Sequence, residues 1–261
     1  MSFNGHGKTA VITGASSGIG AATAVALAEA GFRLALGARR TQKLEQLAEE
    51  LQQRTGQRPF IQALDVTSPN SSQHFIEEVV RELGHIHVLV NNAGLARGVT
   101  HIADADDKDE EDWREMMETN VMGLLRVTRL ALPHMLKAGS GHVINLGSIA
   151  GREAYAGGSV YCATKFAVRA ITEALRQELL GKPIRVTTID PGMVETEFSI
   201  VRYHGDEAKA NEVYAGMTPL TAEDIADCVL FVATRPAHVN IDAIIVKPVD
   251  QAGAGKVARR S

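Results

Sequence analysis

The chain has 261 residues, a formal net charge of −4, a pI near 6.1, 45% hydrophobic and 22% charged residues. That balance fits one globular domain with a sizeable core and offers no global attraction to nucleic acid or an anionic membrane. No apolar run approaches the ~18 residues that span a bilayer, the start MSFNGHGK carries no apolar secretory segment, and Cys162 and Cys228 are too few for a disulfide framework, so a reducing cytoplasm is the expected setting.

In chain order, KTAVIT (8–13) is a short β-branched run suited to a buried strand. It runs into Thr13-Gly14-Ala15-Ser16-Ser17-Gly18-Ile19-Gly20 and then the small-residue helix AATAVALAEA, which stops at Gly31. A strand, a Gly-rich turn and a helix N-terminus make a phosphate site, because free N–H groups and the positive dipole end face an anion. The spacing is G-x-x-x-G-x-G rather than the more familiar G-x-G-x-x-G. Strand-like and helix-like segments then alternate. Strands are expected at 9–13, 33–38, 59–64, 87–91, 142–146, 185–189 and 243–247, and helices at 18–30, 42–54, 71–83, 110–137, 159–180 and 222–234. Such alternation predicts an α/β fold: a Rossmann-type, doubly wound parallel sheet of about seven strands with helices on both faces. Thr221 and Asp224 form a capping pattern that opens the last long helix. With no repeat and no linker, 1–261 reads as one domain. Residues 104–112 (DADDKDEED) read as a solvated acidic loop, and 252–261 as a flexible basic tail. The nine histidines form no metal set.

Tyr161 and Lys165 are four residues apart, which places them on one helix face. An ammonium near a phenol favours the phenolate and lowers a pKa of roughly 10 by about 1–3 units. Alone, this pattern is most often an ordinary helix surface. The ordered series TGASSGIG (13–20), LDV (64–66), NNAG (91–94), ETNV around Asn120, LGSIAG around Ser148, YCATK (161–165) and DPGMVET around Pro191-Gly192 changes that judgement. The series resembles the short-chain dehydrogenase/reductase family over nearly the whole chain.

The resemblance implies an oxidoreductase that moves hydride between a nicotinamide cofactor and a carbonyl or alcohol. Ser148 and Tyr161 would donate hydrogen bonds to the oxygen that gains charge, and Tyr161 would deliver the proton. Lys165 would bind the nicotinamide ribose and lower the tyrosine pKa. Asn120 would hold a water that links the lysine to solvent; its plain reading is a polar residue on an exposed helix face. The cofactor would lie on Gly14, Ser16, Ser17, Gly18, Ile19 and Gly20. Asp65 and Val66 would flank the adenine, Asn92, Ala93 and Gly94 the ribose, and Pro191, Gly192, Val194 and Thr196 the nicotinamide end. Where an NAD site has an acidic residue, this chain has Ala38 followed by Arg39 and Arg40. Arginine attracts a 2′-phosphate that a carboxylate would repel, so NADP(H) is expected.

The resemblance also implies a lid at 194–217 and a homo-oligomer, tetramer or dimer, built on helices 110–137 and 159–180. The C-terminal half is similar to NADP-dependent dehydrogenases of 3-hydroxy acids such as serine and allo-threonine. A small acid needs a cation, and Arg97, Arg152 and Arg202 are the candidates, although each also reads as a surface arginine. Two other readings stay open: a reductase of a larger ketone, such as a 3-oxoacyl derivative or a xenobiotic, and a non-catalytic NADP-binding sensor or scaffold.

Overall fold

A computed structural model describes residues 4–260. Residues 1–3 and 261, included in the expected domain and, for 261, in the expected tail, lie outside the described residues. The elements run β1 (Thr9–Thr13), α1 (Gly18–Glu29), β2 (Arg33–Ala38), α2 (Thr41–Thr55), β3 (Phe60–Ala63), α3 (Pro69–Leu83), β4 (Val88–Asn91), α4 (Asp107–Met117), α5 (Leu124–Ala138), β5 (Gly141–Leu146), α6 (Ser159–Glu178), β6 (Ile184–Pro191), α7 (Phe198–Arg202), α8 (Glu207–Glu212), α9 (Ala222–Ala233), β7 (Ala243–Val246), β8 (Gln251–Gly253) and β9 (Lys256–Val257).

Successive strand residues point to opposite faces, and here both faces are apolar. Ala10 and Ile12 of β1 enter one core and Val11 the other; Leu34 and Leu36 of β2 oppose Ala35 in the same way. Strands buried on both sides form the middle of three layers. Leu27 of α1, Leu44 of α2 and Val229 of α9 cover one face. Phe75 of α3, Val127 of α5 and Leu175 of α6 cover the other. The seven strands pair in parallel in the order β3-β2-β1-β4-β5-β6-β7. The order reverses between β1 and β4, so a crevice opens there at the carboxyl ends of the strands. No helix among the described residues is long and apolar enough to cross a membrane.

Three local expectations need correction. The acidic stretch 104–112 is not a loop: Asp106 caps α4 with Asp109 in a reciprocal capping box, and Asp107, Asp109 and Glu110 sit in its first turn. Carboxylates favour that position because the helix dipole is positive there. The helix expected at 110–137 is interrupted, because Glu118–Gly123 forms a π-helical turn between α4 and α5. Residues 252–260 are also not a frayed tail. β8 and β9 pair antiparallel, and the Arg260 amide donates to Gly216 O at 2.7 Å while its guanidinium reaches Asp250 at 2.7 Å. Arg259 donates to the carbonyls of Val213 and Ala215. The final residues therefore brace segment 194–217 from outside.

Candidate active site

The turn after β1 is pressed against the end of β4. A Cβ on Gly14, whose φ is +66°, would meet Ala93 Cα at 2.8 Å, and one on Gly20 would meet Gly14 O at 2.4 Å. Only glycine permits this closeness. Asn92 completes the lock, its Nδ2 donating to Thr13 O at 3.0 Å and Gly14 O at 3.1 Å. The side chain expected beside a ribose thus also pins the loop.

Above the loop lies a cleft of about 420 Å³. It is lined by Gly14, Ser16, Ser17, Gly18, Ile19, Arg39, Arg40, Asp65, Val66, Asn92, Ala93, Gly94, Pro191, Gly192, Val194 and Thr196, together with Ser148, Tyr161 and Lys165. Gly20 and Asn120 do not line it; Gly20 serves loop packing instead. Asp65 Oδ1 accepts from the Thr67 amide at 3.0 Å and hydroxyl at 2.7 Å, which fixes the turn after β3. Ala38 ends β2 almost fully buried, and no carboxylate of that strand faces the cleft. A Gly-rich cradle without room for side chains, followed by two arginines at its rim, fits a dinucleotide carrying an extra phosphate.

β5 delivers Ser148, whose Oγ accepts from the Ala150 amide at 3.0 Å and thereby starts a short 3₁₀ turn. α6 presents Tyr161 and Lys165 on one face, with Lys165 Nζ 5.9 Å from the Tyr161 ring centroid. The expected electrostatics are reversed in one respect. Tyr161 is not acidified: burial pushes its pKa up to about 12, while the Arg202 charge and the Ser148 hydroxyl oppose that rise. Lys165 spends one of its three donors on Leu146 O at 2.9 Å. Burial brings its own pKa down to about 8, against the pull of Asp190.

Asn120 occupies the π-helical turn and is buried, so its plain reading as an exposed polar residue fails. Its Oδ1 accepts from the Leu95 amide at 2.8 Å, and its Nδ2 donates to Leu95 O at 2.8 Å and Thr164 Oγ1 at 3.1 Å. It ties the strand end carrying the NNAG turn to the helix carrying Tyr161 and Lys165.

Of the three candidate arginines, Arg97 lines the cleft and Arg152 and Arg202 do not, and their partners differ. Arg97 forks onto Glu115 at 2.7 and 3.2 Å and donates to Val201 O at 2.8 Å, clamping α7 to α4. Arg152 pairs with the buried Asp190 at 2.6 Å. Arg202 donates to Tyr155 Oη at 2.9 Å, stands 5.0 Å from the Tyr161 ring centroid, and keeps a buried Nε with no partner. Sequence reasoning missed Tyr155, Glu197 and Phe198. Phe198 packs on Tyr161 at 5.8 Å between ring centroids, and Glu197 reaches Arg40 across 157 positions of sequence. No spacing pattern signals such contacts.

Residues 8–206 match the short chain dehydrogenase family. The chain belongs to that family. It is 46% identical over 255 residues to "NADP-dependent 3-hydroxy acid dehydrogenase" of Schizosaccharomyces pombe, covering 97% of both chains. It is 44% identical over 243 residues to "Sulfoacetaldehyde reductase 2" of Chromohalobacter salexigens, covering 93% of this chain and 94% of the relative. Among solved structures, the closed form of serine dehydrogenase complexed with NADP+ superposes with a TM-score of 0.89 at 40% identity, covering 97% of this chain and all of that one. Family membership accounts for the shared sheet order and the placement of the ordered motifs around one cleft.

Proposed function

We propose that this chain is an NADP(H)-dependent oxidoreductase that interconverts a small 3-hydroxy acid and its 3-oxo form, with Tyr161 as acid and base. The observation that carries the substrate class is the free Nε of Arg202, buried beside Tyr161 while Arg97 and Arg152 are already paired. A planar guanidinium with unspent donors suits a carboxylate. Two relatives are named for substrates of the same shape: a 3-hydroxy acid and sulfoacetaldehyde each carry an acid group one carbon away from the reacting carbon.

When bound, the nicotinamide gives hydride to the carbonyl carbon or takes it from the alcohol. The chain's residues manage position and charge. Arg202, oriented by Tyr155, holds the acid group. Ser148 and Tyr161 donate hydrogen bonds to the oxygen as charge develops on it. Tyr161, a neutral phenol in this setting, gives that oxygen its proton during reduction and takes it back during oxidation. Lys165 binds ribose hydroxyls with its ammonium, and Asn120 with Thr164 fixes the helix that carries both groups. Gly14 to Gly20 seat the pyrophosphate, while Arg39, Arg40 and Ser16 take the 2′-phosphate. Segment 194–217 closes over the substrate.

Exposed Met122 in the π-helical turn and Leu125 at the start of α5, with Phe166 on α6, support pairing of these helices between subunits as a homo-oligomer; light scattering reads its size. Cys162 and Cys228 are free thiols, which suits the cytoplasm.

The deciding experiment is a substrate panel followed at 340 nm with both nicotinamide cofactors. NADP+ reduction with serine, allo-threonine or 3-hydroxyisobutyrate supports the proposal. NADPH consumption with bulky ketones alone replaces the small acid by a larger carbonyl compound. Silence across the panel, with cofactor still bound, replaces the enzyme by a sensor or scaffold.

A further inference from the structure

Glu197 stands at the start of α7 and is tied to the opposite rim of the cleft. Its Oε2 accepts from Arg40 Nη1 at 2.7 Å and its Oε1 from Lys43 Nζ at 2.5 Å. Arg40 is committed on its inner edge as well, donating from Nε to Ser16 Oγ at 3.2 Å and from Nη2 to Ser17 Oγ at 2.5 Å. Lys43 first and Arg40 second draw the Glu197 carboxyl down to about 2, so it stays anionic near neutral pH. A carboxylate therefore sits on Arg40, one of the cations assigned to the ribose phosphate, and on the neighbouring Lys43. A phosphate monoester carries about −1.5 to −2 charges near neutrality, so both anions cannot share Arg40 and Lys43 without repulsion. The pairs are also half exposed, which keeps each one weak and exchangeable.

We propose that Glu197 is a cofactor-selectivity residue that stands in for a phosphate: its carboxylate holds Arg40 and Lys43 until the 2′-phosphate of NADP(H) displaces it, and that exchange frees the first turn of α7. The inference rests on the NADP(H) reading of Arg39 and Arg40 and is independent of the substrate assigned above. The consequence reaches the chemistry directly. Phe198, the next residue, packs on Tyr161, and the Arg202 guanidinium at the other end of α7 lies 5.5 Å from the Phe198 ring centroid. One short helix thus joins the phosphate site to the catalytic phenol. NAD(H), which lacks the phosphate, leaves the Glu197 contacts in place.

The test is calorimetric titration of NADP+ and NAD+ into the full-length wild-type protein and Glu197→Gln. Removing the competing charge tightens NADP+ about three- to tenfold and leaves NAD+ within about twofold. Trp113, the sole tryptophan, packs against the same buried cluster of Leu95, Ala96 and Met116 as Phe198 and Val201 of α7, so its emission reports on how α7 is seated without turnover. In the wild type, saturating NADP+ shifts that emission and saturating NAD+ does not; Glu197→Gln has the shifted emission before any cofactor is added. Equal shifts in affinity for both cofactors, no shift, or weaker NADP+ binding overturns the proposal. A wild-type protein that binds NAD+ more tightly than NADP+ removes the cofactor reading beneath it, a distinct failure.

Discussion

The Arg202 guanidinium lies 5.0 Å from the centroid of the Tyr161 ring, whereas the Lys165 ammonium lies 5.9 Å away and is bonded to a backbone carbonyl. The cation that works against burial of the phenol in this state is therefore the arginine. Arg202 therefore bears on the phenol as well as on the acid binding proposed for it, two tasks that the sequence reading kept apart.

Tyr161→Phe should lower kcat by about 10²–10⁴, the usual worth of a placed acid or base, while calorimetry finds NADP+ affinity little changed. The sign of the pH dependence follows from the raised pKa. The neutral phenol that reduction needs is present throughout the neutral range, so at saturating cofactor reduction is flat from about pH 6 to about 8, where Lys165 begins to lose its ammonium. Oxidation needs the phenolate and rises about tenfold per pH unit below the pKa. A phenylalanine variant that keeps either the rate or the slope removes Tyr161 from the mechanism.

Arg202→Met should raise KM for a 3-hydroxy acid about 10–10²-fold, the size of one lost charge-assisted hydrogen bond. The ester of the same acid, having no charge, should change little. Because the lost positive charge opposed the rise of the Tyr161 pKa, the oxidation limb should also move to higher pH. Equal losses for acid and ester would assign Arg202 to packing alone.

Arg39→Ala with Arg40→Ala should weaken NADPH by about 10²-fold or more and NADH far less, since charge-assisted contacts of this kind are worth about 1.5–3 kcal/mol each. Dissociation constants for both cofactors decide it. An unchanged preference would place the 2′-phosphate elsewhere.

The sheet was legible because its strands are short, apolar and buried on both faces, as Ala10, Val11 and Ile12 illustrate. The candidate positions were legible because motif and element coincide: Ser148 follows a strand and Tyr161 lies in the first turn of a helix. What was hidden is long-range. The plain alternative for Asn120, an exposed helix residue, rested on a uniform helix, and the π-helical turn in which it is buried has no simple periodicity. Asp107, Asp109 and Glu110 looked like loop because charge density was read without the dipole that welcomes it. The nearness of Lys165 to Tyr161 was legible from their spacing, but spacing alone cannot show that Leu146 O also holds the ammonium. The choice among Arg97, Arg152 and Arg202 depended on which carboxylates had already claimed a partner, and those lie in distant segments.

Arg152 gives the final test, and it concerns stability. Its Nε pairs at 2.6 Å with Asp190, whose side chain is only 2% exposed and also accepts from Thr188 Oγ1 at 2.6 Å. Arg152→Met would leave that carboxylate buried without its cation, a loss of about 3–5 kcal/mol when one partner of a buried pair is removed. Urea denaturation should register the loss. The double variant Arg152→Met/Asp190→Asn should recover a good part of it, because no charge is then stranded. Asp190→Asn alone has a second readout. The Asp190 charge supports the Lys165 ammonium, so its removal should lower the Lys165 pKa further below about 8. A Lys165 whose ammonium is lost at lower pH should make ribose binding, and hence NADP+ affinity, fall away at lower pH than in the wild type. If Arg152→Met is as stable as the wild type within about 0.5 kcal/mol, the pair does not hold the Ser148 loop against β6, and Arg152 is free to meet a ligand after all.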